Sequence, residues 1–340
     1  MTRMNRRWVL ARRPVGEIQD GDLRLETVPV RALEEGEILV RNLYLSLDPT
    51  NRIWMADMDQ YLPPVQIGEV MRGGTLGVVE ESRDAKIKVG AIVSPGLSGW
   101  QEYEIVPGGF ARELPRIPGL PLTAYMSVLG LTGWTAYFGL LDIGQPKPGE
   151  TVVVSAAAGA VGSIVGQIAR IKGARVIGIA GGAEKCRWLT EELGFDGAID
   201  YKNEDVGAAL DRLCPKGIDV NFENVGGAIM EEVLGRMNNF GRMPLCGMIS
   251  TYNATAPVAG PRNFTHILMH RIRVQGFIVI DYLHRMEECV RDLSGWLMEG
   301  KLKYKVHVDQ GLENAPASVK KLFTGENDGK LLIQIAPEPA

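Results

Sequence analysis

The fold is decided by the stretch Thr151-Val-Val-Val-Ser-Ala-Ala-Ala-Gly-Ala-Val-Gly-Ser-Ile-Val-Gly166. Its first four residues form a short, mostly apolar run that is typical of a strand buried on both faces of a parallel sheet. From Val161 onward, apolar residues recur every three or four positions, which predicts a helix that ends near Gly173. A strand, a turn of small residues and a helix in this order are typical of a dinucleotide-binding βα unit.

The turn within this stretch predicts a pyrophosphate site. N–H groups at a helix N-terminus bind phosphate, and Gly159 would let the ligand approach the backbone while Gly162 would let the helix pack on the strand. Ala157 stands where the G-x-G-x-x-G pattern has its first glycine. We therefore expect Gly159, Ala160, Val161 and Gly162 to bind the cofactor. The alternative is a turn without a ligand, but the flanking strand and helix that the motif requires favour binding.

The next predicted strand indicates which dinucleotide is bound. It ends in Ile179-Ala-Gly-Gly182, with no acidic residue at its tip to accept hydrogen bonds from a ribose 2′-hydroxyl. Lys185 follows and would neutralise a 2′-phosphate, so the sequence predicts NADP(H). The alternative is that Lys185 is a solvated helix residue beside Glu184.

The remaining sequence predicts two domains in 340 residues. Short strands and turns extend to a proline-rich connector at residues 115–121, and apolar runs then alternate with amphipathic segments, which is the pattern of βαβ units. The six strands of this second part are predicted at residues 151–154, 175–179, 197–200, 218–223, 241–245 and 274–280. We place the first domain at residues 1–126, completed by strands of the tail at 303–340, and the dinucleotide-binding domain at 127–302.

Composition excludes several classes of partner. Thirty-seven basic and 41 acidic residues give a net charge of −4, without the basic excess of a nucleic-acid-binding or membrane-binding protein. No apolar stretch approaches the roughly 20 residues of a membrane-spanning helix. The Arg-rich start resembles neither a secretory signal nor a transit peptide closely, and we favour a first strand in a cytoplasmic protein.

Several motifs together resemble one family. They are Leu47-Asp-Pro49 with Arg52, Tyr61-Leu-Pro-Pro-Val-Gln-Ile-Gly-Glu-Val-Met-Arg-Gly73, Leu131-Thr-Gly-Trp-Thr-Ala136, Ala156-Ala-Ala-Gly-Ala-Val-Gly-Ser163, Glu223-Asn-Val-Gly-Gly227, Cys246-Gly-Met-Ile-Ser-Thr-Tyr-Asn253 and Gly325-Glu-Asn-Asp-Gly-Lys330. In this order they resemble the zinc-independent medium-chain dehydrogenase/reductases of the prostaglandin reductase, alkenal/one reductase and curcumin reductase group. The resemblance extends over essentially the whole chain.

The resemblance implies an α/β protein in which a Rossmann-type doubly wound parallel sheet accompanies a GroES-like, mostly β catalytic domain. It also implies a homodimer. Carried over by motif, the expected cofactor-binding residues beyond the glycine-rich turn are Thr132, Lys185, Tyr201, Asn224, Cys246, Tyr252, Phe277 and Asn327. Met269 stands where some members carry a tyrosine, so no role of that tyrosine is transferred.

The sequence also favours a class of reaction. A catalytic zinc needs Cys and His ligands, yet the first 185 residues contain no cysteine and all four histidines follow residue 265. We therefore predict no metal. Without a Lewis acid, hydride addition to a conjugated C=C bond is easier than carbonyl reduction, because hydrogen-bond donors can stabilise the enolate. The leading hypothesis is an NADPH-dependent reductase of α,β-unsaturated ketones and aldehydes.

Three side chains are predicted to face the substrate. Tyr252 would donate to the enolate or pass the proton, Tyr61 would orient the substrate, and Arg52 would hold a substrate carboxylate. Both tyrosines could instead only pack against ligand, since a phenol is a weak acid at neutral pH, and Arg52 could equally form a structural ion pair. Two other functions stay open: an NADPH:quinone oxidoreductase, and a non-catalytic NADPH-binding protein with a structural or sensing role.

Overall fold

The computed structural model describes residues 3–339, which form two compact units. The first unit combines the chain up to Met126 with the chain from Val306 onward, and the second comprises Ser127–Lys305. No helix among the described residues is long and apolar enough to cross a membrane.

The strands and the α-helices are each numbered in chain order. The strands are β1 (Met4–Leu10), β2 (Leu23–Pro29), β3 (Glu37–Ser46), β4 (Thr75–Ser82), β5 (Ile92–Ser94), β6 (Tyr103–Pro107), β7 (Arg112–Glu113), β8 (Thr151–Val154), β9 (Arg175–Ala180), β10 (Gly197–Asp200), β11 (Ile218–Phe222), β12 (Met237–Leu245), β13 (Arg273–Gly276), β14 (Val306–Gln310) and β15 (Lys330–Gln334). The α-helices are α1 (Thr50–Trp54), α2 (Leu131–Phe138), α3 (Ala160–Ile171), α4 (Ala183–Arg187), α5 (Val206–Leu213), α6 (Gly227–Leu234), α7 (Phe264–Met269), α8 (Met286–Met298) and α9 (Ala315–Thr324). Short 3-10 helices lie at Gly108–Phe110, Leu122–Met126, Ile249–Thr251, Val279–Arg285 and Leu312–Asn314, and π-helical turns at Gly139–Gly144 and Trp188–Glu192.

The second unit is a parallel sheet of six strands in the order β10-β9-β8-β11-β12-β13. Every pair is parallel, and Val153, Ile177 and Val220 of the central strands are fully buried. Such burial follows from helices on both faces of a doubly wound sheet. The predicted fold class is therefore confirmed.

Two of the predicted strands differ from the observed ones by more than one residue. β12 begins at Met237, four residues earlier than residue 241, and β13 ends at Gly276 instead of residue 280. The apolar residues after Gly276 leave the sheet: the Phe277 ring lies edge-on to Phe222, with 6.2 Å between centroids, and a 3-10 helix follows. An apolar run alone does not distinguish a strand from a buried turn.

The first unit is built on a mostly antiparallel sheet that the tail of the chain joins, and β14 and β15 pair with each other in parallel. Its order is β14-β15-β3-β4-β5-β7, with β6 also paired to β3, and β1 and β2 form a separate two-stranded sheet. The buried ammonium of Lys330 at the start of β15 donates to the Leu47 carbonyl and to Asp48 Oδ1, both at 2.8 Å. These bonds attach the tail strand to the segment that leads into α1.

A carboxylic acid, Glu104 of β6, is buried inside the first unit without a cation. Thr75 Oγ1 donates to its Oε1 at 2.8 Å, whereas its Oε2 is buried without a hydrogen-bond partner. Ser98 and Asn42 are its other polar neighbours, and no ion pair involves it within residues 3–339. Burial raises the pKa of Glu104 from 4.5 to about 7.

We expect Glu104 to make the stability of the protein depend on pH. Because the folded-state pKa is the higher one, its contribution is complete below pH 4.5 and is lost as the pH rises to about 7. Relative to Glu104→Gln, the wild-type free energy of unfolding should fall by about 3 kcal/mol over that interval. Chemical denaturation at a series of pH values measures it, with Glu113→Gln, an exposed site, as control. Parallel profiles for the wild type and Glu104→Gln would contradict the assignment.

Candidate functional site

The candidate site lies at the edge of the second unit where the carboxyl ends of the parallel strands meet. The strand order reverses between β8 and β11, and ligands of such sheets bind outside the carboxyl ends at this switch point. Most of the residues predicted from the sequence for this unit come directly after one of these ends. In strand order they are Tyr201 after β10, Lys185 after β9, Gly159–Gly162 after β8, Asn224 after β11, Cys246 and Tyr252 after β12, and Phe277 after β13.

The turn after β8 brings a helix start close to the strand. Ala156 adopts a positive φ of 49°, and Gly159 N–H donates to its carbonyl at 2.9 Å. A Cβ at Gly162 would lie 2.4 Å from that same carbonyl oxygen, so only glycine lets α3 begin here. The first-turn amides of Ala160, Val161 and Gly162 lack intrahelical acceptors by helix geometry. This cradle fits a pyrophosphate.

A buried acid that the sequence reasoning missed, Glu223, organises the turn from the neighbouring strand. Its Oε1 accepts hydrogen bonds from Ser155 Oγ at 2.8 Å and from the Val225 and Gly226 amides at 2.7 and 2.8 Å. Since Gly226 precedes α6, the carboxylate already occupies the start of that helix. The start of α3, by contrast, has no side-chain cap and is accessible to an anionic ligand. Glu223 is part of the motif Glu223-Asn-Val-Gly-Gly227, but the sequence analysis predicts only Asn224 of this motif as a site residue.

Backbone bonds join the loop after β12 to the loop after β11. The amides of Cys246 and Ser250 donate to the carbonyls of Glu223 and Val225 at 2.9 and 3.0 Å. Burial and the Glu223 charge raise the pKa of Cys246 to about 12, so it lines the edge as a neutral thiol. The Tyr252 hydroxyl accepts a hydrogen bond from the Met248 amide at 3.1 Å, which fixes the phenol beside this loop.

At the side of the edge formed by β9 and β10, the side chains of Tyr201 and Lys202 lie over Gly181, which directly follows β9. A Cβ on Gly181 would lie 2.9 Å from Tyr201 Cε1 and 3.0 Å from Lys202 Cε, so the ring and the lysine lie together there. The sequence prediction included Lys185 and Tyr201 but missed Lys202. The acid of this region, Asp200, accepts bonds from Asn203 and from the Gly182 and Lys202 amides, which lower its pKa.

The other predicted residues have local partners. Thr132 is buried in α2, where its hydroxyl donates to the Ser127 carbonyl at 3.0 Å. In the first unit, Asn327 donates to the Gly329 carbonyl at 2.9 Å, and Tyr61 is 40% exposed with its hydroxyl 2.5 Å from Thr50 Oγ1. Their roles at the cofactor or substrate stay predictions.

Arg52 does not have the surroundings of a substrate ligand. Its side chain is 5% exposed, and its guanidinium donates to the carbonyls of Gly16 at 3.0 and 3.1 Å and of Pro14 at 3.2 Å. Arg52 therefore holds the backbone of residues 14–16, and we do not retain it as a substrate-binding residue. A motif position alone could not reveal this burial.

No group of three or more His, Cys, Asp or Glu side chains suited to a metal ion occurs within residues 3–339. The predictions that no metal is bound and that the protein is cytoplasmic stay predictions.

Comparisons with known proteins identify the family. Residues 6–114 match the family described as the N-terminal domain of oxidoreductase, and residues 160–295 match the family described as zinc-binding dehydrogenase. The chain is 48% identical to the NADPH-dependent curcumin reductase of Escherichia coli, covering 98% of this chain and 97% of that protein. It is 38% identical to the NADP(+)-dependent 2-alkenal reductase of Nicotiana tabacum, covering 98% of each.

A solved structure shows the same likeness in three dimensions. CurA from Vibrio vulnificus in complex with NADPH superposes with a TM-score of 0.93 at 46% identity, covering 98% of this chain and all of that one. The fold, together with the nucleotide edge, which is the edge of the parallel sheet where the carboxyl ends of its strands meet, defines a medium-chain dehydrogenase/reductase. The chain belongs to the zinc-independent, NADP-dependent reductases of that family.

We expect Gly162→Ala to disable the cofactor cradle. The added methyl would meet the Ala156 carbonyl at 2.4 Å and force α3 away from the turn, so NADPH affinity should fall at least about tenfold, with about 1–3 kcal/mol of stability lost to overpacking. Fluorescence titration with NADPH and thermal unfolding measure both. Gly295→Ala, in α8 with no atom within 4 Å of the new methyl, is the matched control. Unchanged NADPH binding in Gly162→Ala would rule out the cradle.

Proposed function

We propose that the protein reduces the C=C bond of α,β-unsaturated ketones and aldehydes at the expense of NADPH. The observation that carries this proposal is the phenol of Tyr252, held beside the loops that follow β11 and β12 at the nucleotide edge. The activities for which the two relatives are named, curcumin reduction and 2-alkenal reduction, support the same substrate class.

Different residues of this edge would bind different parts of the cofactor. The amides at the start of α3 would bind the pyrophosphate, while Lys185, Tyr201 and Lys202 would bind the 2′-phosphate. Bound NADPH supplies a hydride for the β-carbon of the substrate. The protein's own residues must then stabilise the negative charge on the enolate oxygen and control the proton that reaches the α-carbon.

Tyr252 suits the stabilising role. A hydroxyl that accepts a hydrogen bond, here from the Met248 amide, is polarised and becomes a stronger donor. Tyr61 would orient the substrate. Desolvation raises the pKa of Tyr61, more than the bond with Thr50 lowers it, so it is a protonated donor at neutral pH.

The experiment that tests the function follows NADPH absorbance with enones, enals and quinones, and NADP+ with saturated alcohols. We expect turnover with enones and enals and a saturated carbonyl product. Tyr252→Phe should lower kcat by on the order of a hundredfold while NADPH binding is unchanged, and Tyr304→Phe serves as control. Turnover with quinones alone would favour a quinone oxidoreductase, and NADPH binding without any turnover would favour a non-catalytic protein.

The preference for NADPH has its own test. Lys185→Met and Lys202→Met should each raise the NADPH KM roughly tenfold, because each removes a charge-assisted contact with the 2′-phosphate. The NADH KM should change less than about twofold, since NADH lacks this phosphate. Lys216→Met, at the opposite, amino end of β11, is the control. Equal effects on both cofactors would contradict the assignment.

We also propose that the protein forms a homodimer. The exposed outer strand of the parallel sheet, β13, supports this proposal. β13 pairs only with β12 within residues 3–339, and Val274 is 38% exposed on it. An unpaired edge with apolar side chains is suited to pairing with another strand. Sedimentation equilibrium that shows a monomer would exclude the dimer.

A further inference from the structure

A histidine of the tail strand β14, His307, has a partner at each of its ring nitrogens. The Asp328 amide donates to His307 Nδ1 at 3.4 Å, and His307 Nε2 lies 3.2 Å from Asp309 Oδ1. Because a backbone amide can only donate, Nδ1 must be unprotonated, and the single ring proton is then on Nε2, which donates it to the Asp309 carboxylate. His307 is therefore neutral in this arrangement.

The neighbours of Asp309 keep its carboxyl ionised. The Lys321 ammonium of α9 donates to Asp309 Oδ2 at 2.7 Å, and Ser318 Oγ donates to the same oxygen. Desolvation raises the pKa of Asp309, but the hydrogen bonds from Lys321, Ser318 and His307 outweigh it and lower the pKa. The nitrogen that faces Asp309 therefore meets an acceptor whether the ring is neutral or charged. Only Nδ1 changes its role when the ring gains a proton.

The Asp328 amide belongs to the loop between α9 and β15, which also carries Asn327, one of the residues predicted to bind the cofactor. The loop starts at Gly325, where α9 ends with a positive φ of 74°, and it leads into β15. The Asn327 side chain donates to the Gly329 carbonyl at 2.9 Å, so its orientation depends on the path of this loop. The bond to His307 attaches the residue next to Asn327 to β14.

A change in the charge of His307 acts directly on this loop. A second ring proton would add to Nδ1, which then becomes a donor opposite the Asp328 amide, and two donors form no hydrogen bond. At the same time Nε2 and the Asp309 carboxylate become an ion pair, which holds the ring on its own strand. Protonation therefore removes one attachment of the loop. Histidine takes up this proton in the range of about pH 5 to 8.

We propose that His307 is a positioning residue for the cofactor. In its neutral form it holds the loop of Asn327 in the conformation that binds NADPH, and its protonation releases this loop and weakens NADPH binding. This inference rests on the proposed function, because it requires that Asn327 contacts the cofactor. A histidine that only packed on β14 would stabilise the protein without linking NADPH affinity to pH.

The test measures the NADPH Kd by fluorescence titration between about pH 5.5 and 8. The 2′-phosphate of NADPH also titrates in this range, so the wild type is compared with His307→Asn, whose side-chain oxygen can accept the Asp328 amide but takes up no proton. On acidification the wild-type Kd should rise at least about threefold more than that of the variant, which is the effect of one hydrogen bond. His284→Asn, at an exposed histidine of the second unit, is the control and should keep the wild-type profile.

The charges near the ring predict how the pH of this transition moves. Lys321→Met leaves the Asp309 carboxylate without its cation and should shift the midpoint to higher pH by about half a unit, whereas Asp309→Asn should shift it to lower pH by about as much. Lys320→Met, at the neighbouring lysine on α9, is the matched control and should leave the midpoint unchanged. A midpoint that moves with neither Lys321→Met nor Asp309→Asn would contradict the assignment to His307.

A second measurement needs no cofactor. Hydrogen exchange of the Asp328 amide in the free protein, corrected for the intrinsic effect of pH, should become at least about threefold faster on acidification in the wild type and not in His307→Asn. Parallel profiles of the two proteins, in exchange or in NADPH binding, would overturn the proposal and leave His307 a structural residue of β14. If the protein binds no NADPH at any pH, the proposed function fails, and exchange of the Asp328 amide still decides whether His307 holds the loop.

Discussion

The close packing of α3 against the turn after β8 is the constraint on which the nucleotide edge depends. A methyl group at position 162 has no room beside the Ala156 carbonyl, and this distance sets where the helix begins and which amides it leaves without acceptors. Glu223 supports the arrangement from the next strand, because it fixes Ser155 at the end of β8. The loops after β11 and β12 are then joined backbone to backbone, and Tyr252 is positioned by the second of them.

Sequence periodicity was sufficient for the second unit. All six of its parallel strands were predicted, because a strand buried on both faces is a continuous apolar run and because helices with a clear apolar face separate the strands. The errors lie where that signal is ambiguous, as after Gly276, where the apolar residues pack in a turn instead of a strand. Residues that follow strand ends were predictable as site residues, since their place in the motif and their place at the sheet edge coincide.

The remaining parts of the site depend on contacts between residues far apart in the chain. Arg52 was expected to face substrate, but burial and three hydrogen bonds to two backbone carbonyls define it as a residue that holds the backbone. Lys202 and Glu223 were missed because a lysine or an acid after a strand is common, and only the fold shows Lys202 over Gly181 or Glu223 at a helix start.

The pairing of β15 with β3 has a consequence for biosynthesis. The two strands of this pair, which join Leu332 to Ser46 and Ile333 to Leu45, are separated by the entire second unit. A ribosome therefore completes every strand of the parallel sheet before it makes β15, and the buried ammonium of Lys330 arrives with that strand. The contiguous unit can fold during synthesis, as domains generally do. Until β15 is made, the first unit must wait with residues 44–46 of β3 unpaired on one side, because β6 covers only residues 37–41 there, and this short edge is open to pairing with other chains.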